Sequence, residues 1–331
     1  MRLVERHIVK DNRFEDICFK SGLLYNYVLY NIRQGIFSGN YLKEFDLSNK
    51  LCKENQFDFR NLPNHVSQHI IKPIKTNVKK DELKQVRIIP QATCYVVEVV
   101  YERKETDLGL NKDNFLSIDL GLNNLCSCIS NVEINSFIIN GRVMKSVNQW
   151  YNKKKAKLMS FVGNKGTSNR IRKITLFRNC WIEDKLHKIS RYIVDFCKSN
   201  NIGTIIIGLN KEWKNEINIG KRNNQHFVSI PHSKLIDKIV YKANLLGIEV
   251  ITHEESYTSK IDHLAFEPLK KQESYLGKRK KRGLFQSSVG KLINADINGA
   301  IGIARKVVGD SFIGKIIDSG FVFNPVRINI L

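Results

Sequence analysis

The chain has no run approaching the roughly 18 consecutive apolar residues that a membrane-spanning helix needs, and its first residues, MRLVERHIVKD, lack the apolar core of a secretory signal. Both absences lead to the expectation of a cytosolic chain. No helix rich in Lys and Arg carries the broad apolar face of a membrane-surface binder, so no membrane partner is expected. Cysteine shows no ligand-like pattern: there are 7, none falls in a CxxC pair, and the nearest approach is Cys126 and Cys128 in LCSCIS. That spacing matches no common zinc or redox motif, and the cysteines read as reduced structural residues. Acidic charge is also short, with 32 Asp plus Glu against 54 Lys plus Arg and a net charge of +22. A surplus of this size speaks about partners, not fold. Because the cations run along the chain from Lys72 to Arg305, they suit an extended nucleic acid better than an anionic membrane surface. A hydrophobic content of 42% is enough for a real core and excludes a disordered basic tail, and 331 residues allow about two domains.

The front of the chain reads as helical. Ile17, Leu24, Val28 and Ile32 recur at helical spacing within residues 14–37 and end at Ser38-Gly39; further helices are expected at 44–54 and from Pro63 to Ile71. QVRII (85–89) and CYVVEVVY (94–101), rich in β-branched and aromatic residues, predict a hairpin around Pro90–Thr93. FLSID (115–119), NLCSCIS (124–130) and SFII (136–139) predict an antiparallel meander. The basic stretch Lys145–Lys198 then includes an amphipathic helix through Leu186, Ile189, Ile193 and Phe196. TIII (204–207) reads as a strand buried on both faces, and a helix follows Pro231 and ends near Gly247. With IEVIT (248–252) as the next strand, this is a βαβ unit. Three antiparallel strands, a long crossing helix and then parallel strands wound with helices describe an α/β, RNase H-like architecture.

Three acidic segments could serve that architecture. Asp119 ends an apolar strand in SIDLGLNN, where Gly121 would let a phosphate approach the backbone. An isolated strand-end Asp more often caps its own turn, so Asp119 has to be weighed with its companions. Asp296 opens the helix INADINGAIGIAR, where either Asn294 or Asp296 alone would be ordinary capping chemistry, and Gly299 and Ala300 allow that helix to lie close on a sheet. Glu254 and Glu255 follow the strand IEVIT, although a solvated acidic loop would look the same. Hydrolysis of a phosphodiester by two divalent ions needs several hard oxygen ligands around metals ~3.5–4 Å apart. A strand-end Asp, a strand-end Glu and a helix-start Asp meet that need, and Mg²⁺ or Mn²⁺ is the expected ion.

DLGLNNL (119–125), LHKIS (186–190), IIIGLNKEWK (205–214), EESYTSK (254–260), GKRKKRGLF (277–285) and INADINGA (293–300) occur in the order found in the TnpB proteins of insertion sequences. The chain resembles these compact RNA-guided DNA endonucleases, whose RuvC-type nuclease domain is related to that of the type V CRISPR effectors. The resemblance spans nearly all of residues 1–310. It implies a helical nucleic-acid recognition unit (1–75), a wedge-like β-hairpin or partial barrel (76–112) and a RuvC-like nuclease domain (113–331) with a basic helical insertion at about 145–200. It further implies Asp119 as the first RuvC acid and Asp296 as the third. Many relatives place the second acid at the end of the strand that here reads TIIIGLN, where this chain has Gly208. Others, including Fanzor proteins, use a relocated Glu shortly before a Thr-Ser pair. That position is Glu255 here, with Glu254 and Glu212 as alternatives.

Two departures from the family accompany the match. Residues 256–295 contain no cysteine, where many TnpB proteins carry a four-cysteine zinc ribbon, so no zinc is expected. In its place Lys278, Arg279, Lys280, Lys281 and Arg282 form a cationic run, which is either a solvated face or a grip on a DNA strand. The join at residues 70–89 is abrupt where relatives carry a longer basic segment, and this shortening bears on guide binding and duplex opening. The likeness implies a guide RNA from the element and target double-stranded DNA as partners, in the cytoplasm beside a prokaryotic nucleoid. Lys153, Lys154, Lys155, Arg170, Arg172 and Lys173 would then wall a nucleic-acid channel, while Trp150, Tyr151, Trp181 and Trp213 offer either base stacking or, above all for Trp181, core packing. The competing readings are an RNA-guided DNA-binding protein without cleavage, and a guide-free structure-selective nuclease.

Overall fold

The computed structural model describes residues 1–10, 14–21, 83–91, 93–163, 166–209 and 230–330, together with 23, 27, 30, 34 and 53. The chain divides into two compact units, Met1–Lys104 and Glu105–Leu331.

In the first unit β1 (Arg2–Val9), β3 (Cys94–Glu102) and β2 (Leu83–Gln91) form an antiparallel sheet in the order β1-β3-β2. Strand β1 is absent from the sequence expectations although RLVERHIV alternates in burial along its whole length, as a strand with one covered face must. The expected hairpin forms with a tighter turn, since Gln91 pairs with Cys94 and β2 runs through Pro90. Proline is tolerated there because β2 is an edge strand. Residues 14–21 are helical and place Phe14 in the core beside Val97, its ring 5.7 Å from Tyr95. The expected stripe residues Leu24, Val28 and Ile32, the helix at 44–54 apart from residue 53, the helix at 63–71, and the join up to residue 82 lie outside the described residues.

The second unit is a mixed α/β layer structure. Strands β4 (Phe115–Leu120), β5 (Asn124–Ser130) and β6 (Phe137–Asn140) form the antiparallel meander; β7 (Thr204–Gly208) and β8 (Glu249–His253) add in parallel beside β4. Strand β12 (Val326–Ile328) pairs in parallel with β6, giving the order β12-β6-β5-β4-β7-β8. Between β6 and β7 stand two long helices, α1 (Arg142–Val162) and α2 (Asn169–Ser199); α3 (His232–Asn244) links β7 to β8. The C-terminal part contributes α4 (Ala295–Val308) and α5 (Ile313–Ser319).

Period-2 alternation along the central strands sorts the two faces. Leu116, Ile118, Ile205 and Ile207 pack under α2 and α3 with Leu186, Ile193, Leu235 and Ile239. Phe115 and Ile206 point the other way, onto α4 through Ile297, Ala300, Ile301 and Ala304. Asp119 and Gly208 share that second parity, so the α4 face is the one on which chemistry can be assembled. The small residues of α4 bring its backbone close enough for the Ser117 hydroxyl to donate to the Ala300 carbonyl at 2.8 Å.

Between β8 and α4 lies a small antiparallel sheet, β9 (Lys278–Lys281), β10 (Leu284–Gln286) and β11 (Leu292–Asn294), in the order β11-β10-β9. The cationic run, read from sequence as a solvated face or a grip on DNA, is the exposed edge strand of a sheet plus the residue after it.

Candidate active site

Asp119 stands at the end of β4, paired across the ladder with Ser127 of β5. Burial pushes its carboxyl well above the usual carboxylate range; the negative charges of Glu255 and Asp296 push the same way, and the Arg279 guanidinium of β9 opposes them. The charges acting on Asp119 thus come from three distant segments of the chain. Helix α4 crosses here without a side chain in the way: a Cβ on Gly299 would stand 2.7 Å from Asp119 Oδ2.

Asp296 lies in the first turn of α4, yet the N-cap is Asn294, whose Oδ1 accepts from the amides of Asp296 and Ile297 at 2.9 and 3.3 Å. Because Asn294 satisfies the helix end, the Asp296 carboxylate is left for another role. Asn124 Nδ2 donates to Asp296 Oδ2 at 2.7 Å, and Asn124 Oδ1 accepts from Arg327 Nη1 of β12 at 3.2 Å. Asn124 follows the strand-end Asp in DLGLNN, and its place in that turn was the one sequence signal for a role beside the acids.

Glu255 follows β8 in a turn closed by Thr258, whose hydroxyl and amide both donate to the Glu255 carbonyl, at 2.8 and 3.3 Å. Its carboxylate lies over the end of β7: a Cβ on Gly208 would meet Glu255 Oε2 at 2.7 Å. Gly208 follows Ile207, the β7 partner of Ile118, so it stands next to Asp119 in the sheet. Burial raises the Glu255 carboxyl as well, against the opposing charge of Lys306. Lys306 Nζ also donates to the Glu254 carbonyl at 3.1 Å, tying the loop to α4; nothing in the sequence pattern singled this lysine out. Of the alternatives, Glu254 is exposed and accepts from the Ser256 hydroxyl, and Glu212 lies outside the described residues, as does Trp213.

The cationic strand is placed by buried polar groups. The Asp262 carboxylate, fully buried, accepts from the Ser287 and Ser288 hydroxyls and from the Ser288 amide at 2.6–2.9 Å. Glu267 accepts from the Asp262 and Leu276 amides at 2.6 and 3.0 Å. These bonds fix the turn after β10 and the segment leading into β9, on which Lys278, Arg279, Lys280, Lys281 and Arg282 are all exposed and Arg279 acts on Asp119.

The other cations lie on the α1–α2 hairpin. Lys153, Lys154, Arg170, Arg172 and Lys173 are exposed, and Lys155 is half-buried with its ammonium 5.9 Å from the centre of the Tyr151 ring. Trp181 packs against the core with Lys185 over its ring, whereas Trp150 is exposed. His187 is engaged by Lys238 Nζ at 3.0 Å, and partial desolvation together with the charges of Lys238 and Lys242 lowers its pKa to about 4.

Among the described residues no three His, Cys, Asp or Glu side chains form a closed ligand cluster. Asp119 feels the charges of Glu255 and Asp296, and each of the three carboxylates is placed by its own neighbour, α4, the β7 end and Asn124 respectively. Their chemistry suits a hard divalent cation, because carboxylate oxygens are its preferred ligands and a positive ion would relieve the repulsion recorded at Asp119. Beside Asp119, Ser127 carries a buried hydroxyl without a hydrogen-bond partner, a further oxygen facing the same rim.

Two family models match separate parts of the chain. Residues 97–214 match OrfB_IS605, described as "Probable transposase", and residues 232–303 match "Cas12f1-like, TNB domain". Together the two matches support a TnpB-like protein. The first match contains Asp119 and the α1–α2 hairpin; the second contains Glu255, the cationic strand and Asp296. Similar solved structures include a Cas12f1–sgRNA–target DNA complex, at 20% identity and TM-score 0.48, and a CRISPR–Cas12f ternary complex, at 17% identity and TM-score 0.45. Each alignment covers 66% of this chain and 44% of the other, so the chain spans less than half the length of the solved structures it matches. No curated protein matches the chain.

Proposed function

We propose that this TnpB-like chain is an RNA-guided, metal-dependent DNA endonuclease of a transposable element, with an RNase H-like, RuvC-type nuclease domain over residues 113–331. The recognition unit is assigned to 1–75 and the wedge-like hairpin to 76–112. The observation that carries the reading is the convergence at one sheet rim, where Glu255 Oε2 lies over Gly208 next to Asp119 and the helix that Asp296 opens packs its Gly299 against Asp119 Oδ2. The upward push on the Asp119 carboxyl from burial, Glu255 and Asp296 agrees with it. Three carboxylates drawn to the C-terminal rim of parallel strands make poor structural partners for one another. They make good ligands for Mg²⁺ or Mn²⁺.

Asp119, Glu255 and Asp296 would hold the ions, which when bound activate water and stabilise the leaving oxygen of a phosphodiester. The protein's own contribution is placement. Asn124 orients Asp296, Lys306 ties down the loop bearing Glu255, and Gly208 and Gly299 leave room for the carboxylates. Arg279 and its exposed neighbours on β9 supply positive charge for the DNA backbone beside the acids. Guide RNA and target double-stranded DNA are the assigned partners, base pairing reading the sequence while the cationic surfaces hold the backbone. The cytoplasm, beside the nucleoid, is the corresponding site of action.

Purification of the full chain with its flanking element transcript tests this reading. A discrete retained RNA, cutting of a matching plasmid only with Mg²⁺, and loss of cutting in Asp119→Ala with RNA still bound are the expected results. RNA retention without cutting selects a guided DNA-binding protein instead, and cutting of branched DNA without RNA selects a guide-free nuclease.

A further inference from the structure

The α1–α2 hairpin carries two exposed stripes that meet at a pair of aromatic rings. On α1, Trp150, Lys153, Lys154, Lys157 and Phe161 recur at i, i+3, i+4, i+7 and i+11, which is one helix face. On α2, Arg170, Lys173 and Phe177 do the same. Trp150 and Phe177 lie edge to face with centroids 5.9 Å apart, yet remain 46% and 56% exposed; Phe161 is 76% exposed. Rings of this size left in water on a two-helix hairpin are unusual unless a partner covers them. The charge around them says what kind: no Asp or Glu occurs anywhere between Glu133 and Glu183, so the face is cationic without interruption.

We infer that this face binds single-stranded DNA, with Trp150 and Phe177 as the surface on which bases stack and Lys153, Lys154, Arg170 and Lys173 as contacts to its phosphates. The inference rests on the nuclease reading above for the identity of the strand. A duplex offers its sides as phosphates and hides its bases, so it would use the cations and waste the rings; an unpaired strand uses both. Placement favours the strand being cut. Helix α1 springs from the turn next to the acids, since the amide of Gly141, just before Arg142, donates to the Asn123 carbonyl at 2.9 Å and Asn124 holds Asp296. Trp150 lies about 12 Å along the helix from Arg142.

The test is fluorescence anisotropy of the full chain in an Asp119→Asn background, with a labelled single-stranded DNA of about 15 nucleotides, its duplex, and the RNA of the same sequence. Trp150→Ala and Phe177→Ala are each expected to weaken single-stranded DNA binding about tenfold with an unchanged salt slope. Trp150→Tyr should restore most of the loss, which separates stacking from misfolding. Lys153→Ala or Arg170→Ala should lower the slope of log K on log salt by ~0.7 for each contact removed. Unchanged affinity in the alanine variants overturns the inference. So does an equal loss on duplex, a loss confined to RNA, or self-association in sedimentation that Trp150→Ala abolishes, which would make a second copy the occupant. If the wild type fails to cut with Mg²⁺ while Trp150→Ala still loses single-stranded DNA, the nuclease reading falls and this surface stands.

Discussion

The carboxylate of Glu255 occupies the space over Gly208 that a side chain on the end of β7 would need. An acid from the loop after the neighbouring strand reaches beside Asp119 because β7 gives up its own side chain. Strands lie ~4.8 Å apart, within the reach of a glutamate. Gly208→Ala should therefore displace Glu255, since the new methyl would also meet the Ile303 side chain. DNA cleavage is expected to fall at least tenfold at saturating Mg²⁺ while RNA retention is unchanged, measured by single-turnover cutting of a matching plasmid. Cutting at the normal rate would show that Glu255 has no place in the reaction.

Asp119→Asn should stabilise the folded chain while abolishing cleavage. A carboxyl whose folded pKa is raised favours folding only while protonated, and that contribution is lost as pH rises through the folded value. At neutral pH the unfolded chain has released this proton, so folding must either bury the charge or take the proton back, and the neutral amide removes that cost; a gain of about 1–2 kcal/mol is expected in urea denaturation at pH 7.5. Mg²⁺ should raise the melting temperature of the wild type more than that of the variant, because an ion bound only by the folded chain stabilises it by mass action.

Asn124→Ala removes the amide that orients Asp296 and leaves Arg327 without its acceptor. Single-turnover cleavage is expected to fall roughly 10- to 100-fold, the usual range for loss of an outer-shell partner of a metal ligand, with a higher Mg²⁺ concentration needed for half-maximal rate. Asn124→Asp should be no better, since a fourth carboxylate would repel Asp296. A variant with an unchanged Mg²⁺ dependence would remove the positioning role.

His263 makes the fold acid-sensitive. It is fully buried; Nε2 lies 2.7 Å from the Thr258 carbonyl and Nδ1 lies 3.1 Å from Arg305 Nη1, which is the pattern of a neutral ring donating at Nε2 and accepting at Nδ1. Burial lowers its pKa to about 4 from an ordinary 6.5. The unfolded chain therefore takes up the proton first, and stability is complete above pH 6.5 and is lost as pH falls toward 4. The loss amounts to about 3 kcal/mol at the acid end. Urea denaturation at pH 7 and pH 4.5 should show it, and His263→Gln, which keeps a donor and an acceptor, should flatten it. An equal slope in the variant would assign the acid sensitivity elsewhere, His187 being the other histidine lowered to about 4.

The meander, the buried strand TIII, the helix after Pro231 and the helix carrying Asp296 were legible because period-2 and 3.6-residue patterns are local properties of the chain. So were Asp119 and Asp296, each at a strand or helix end. Strand β1 was equally local in pattern but lies in a polar segment of alternating charges, where partial cover on one face leaves a weak signal. The small sheet of β9, β10 and β11 was not legible, because its strands are three or four residues long and its hold on the fold comes from Asp262 and Glu267, whose partners lie up to 26 residues away.

Residue types and their order along the chain determined that carboxylates would stand at the ends of apolar strands, that cations would outnumber acids, and that Gly208 would leave a gap where a side chain could have been. The fold decided which acid fills that gap, that Asn124 holds Asp296, and that Trp150 meets Phe177 in the open. These outcomes depend on distances between segments more than a dozen residues apart, and a one-dimensional pattern carries no information about such distances until the sheet and its helices have packed.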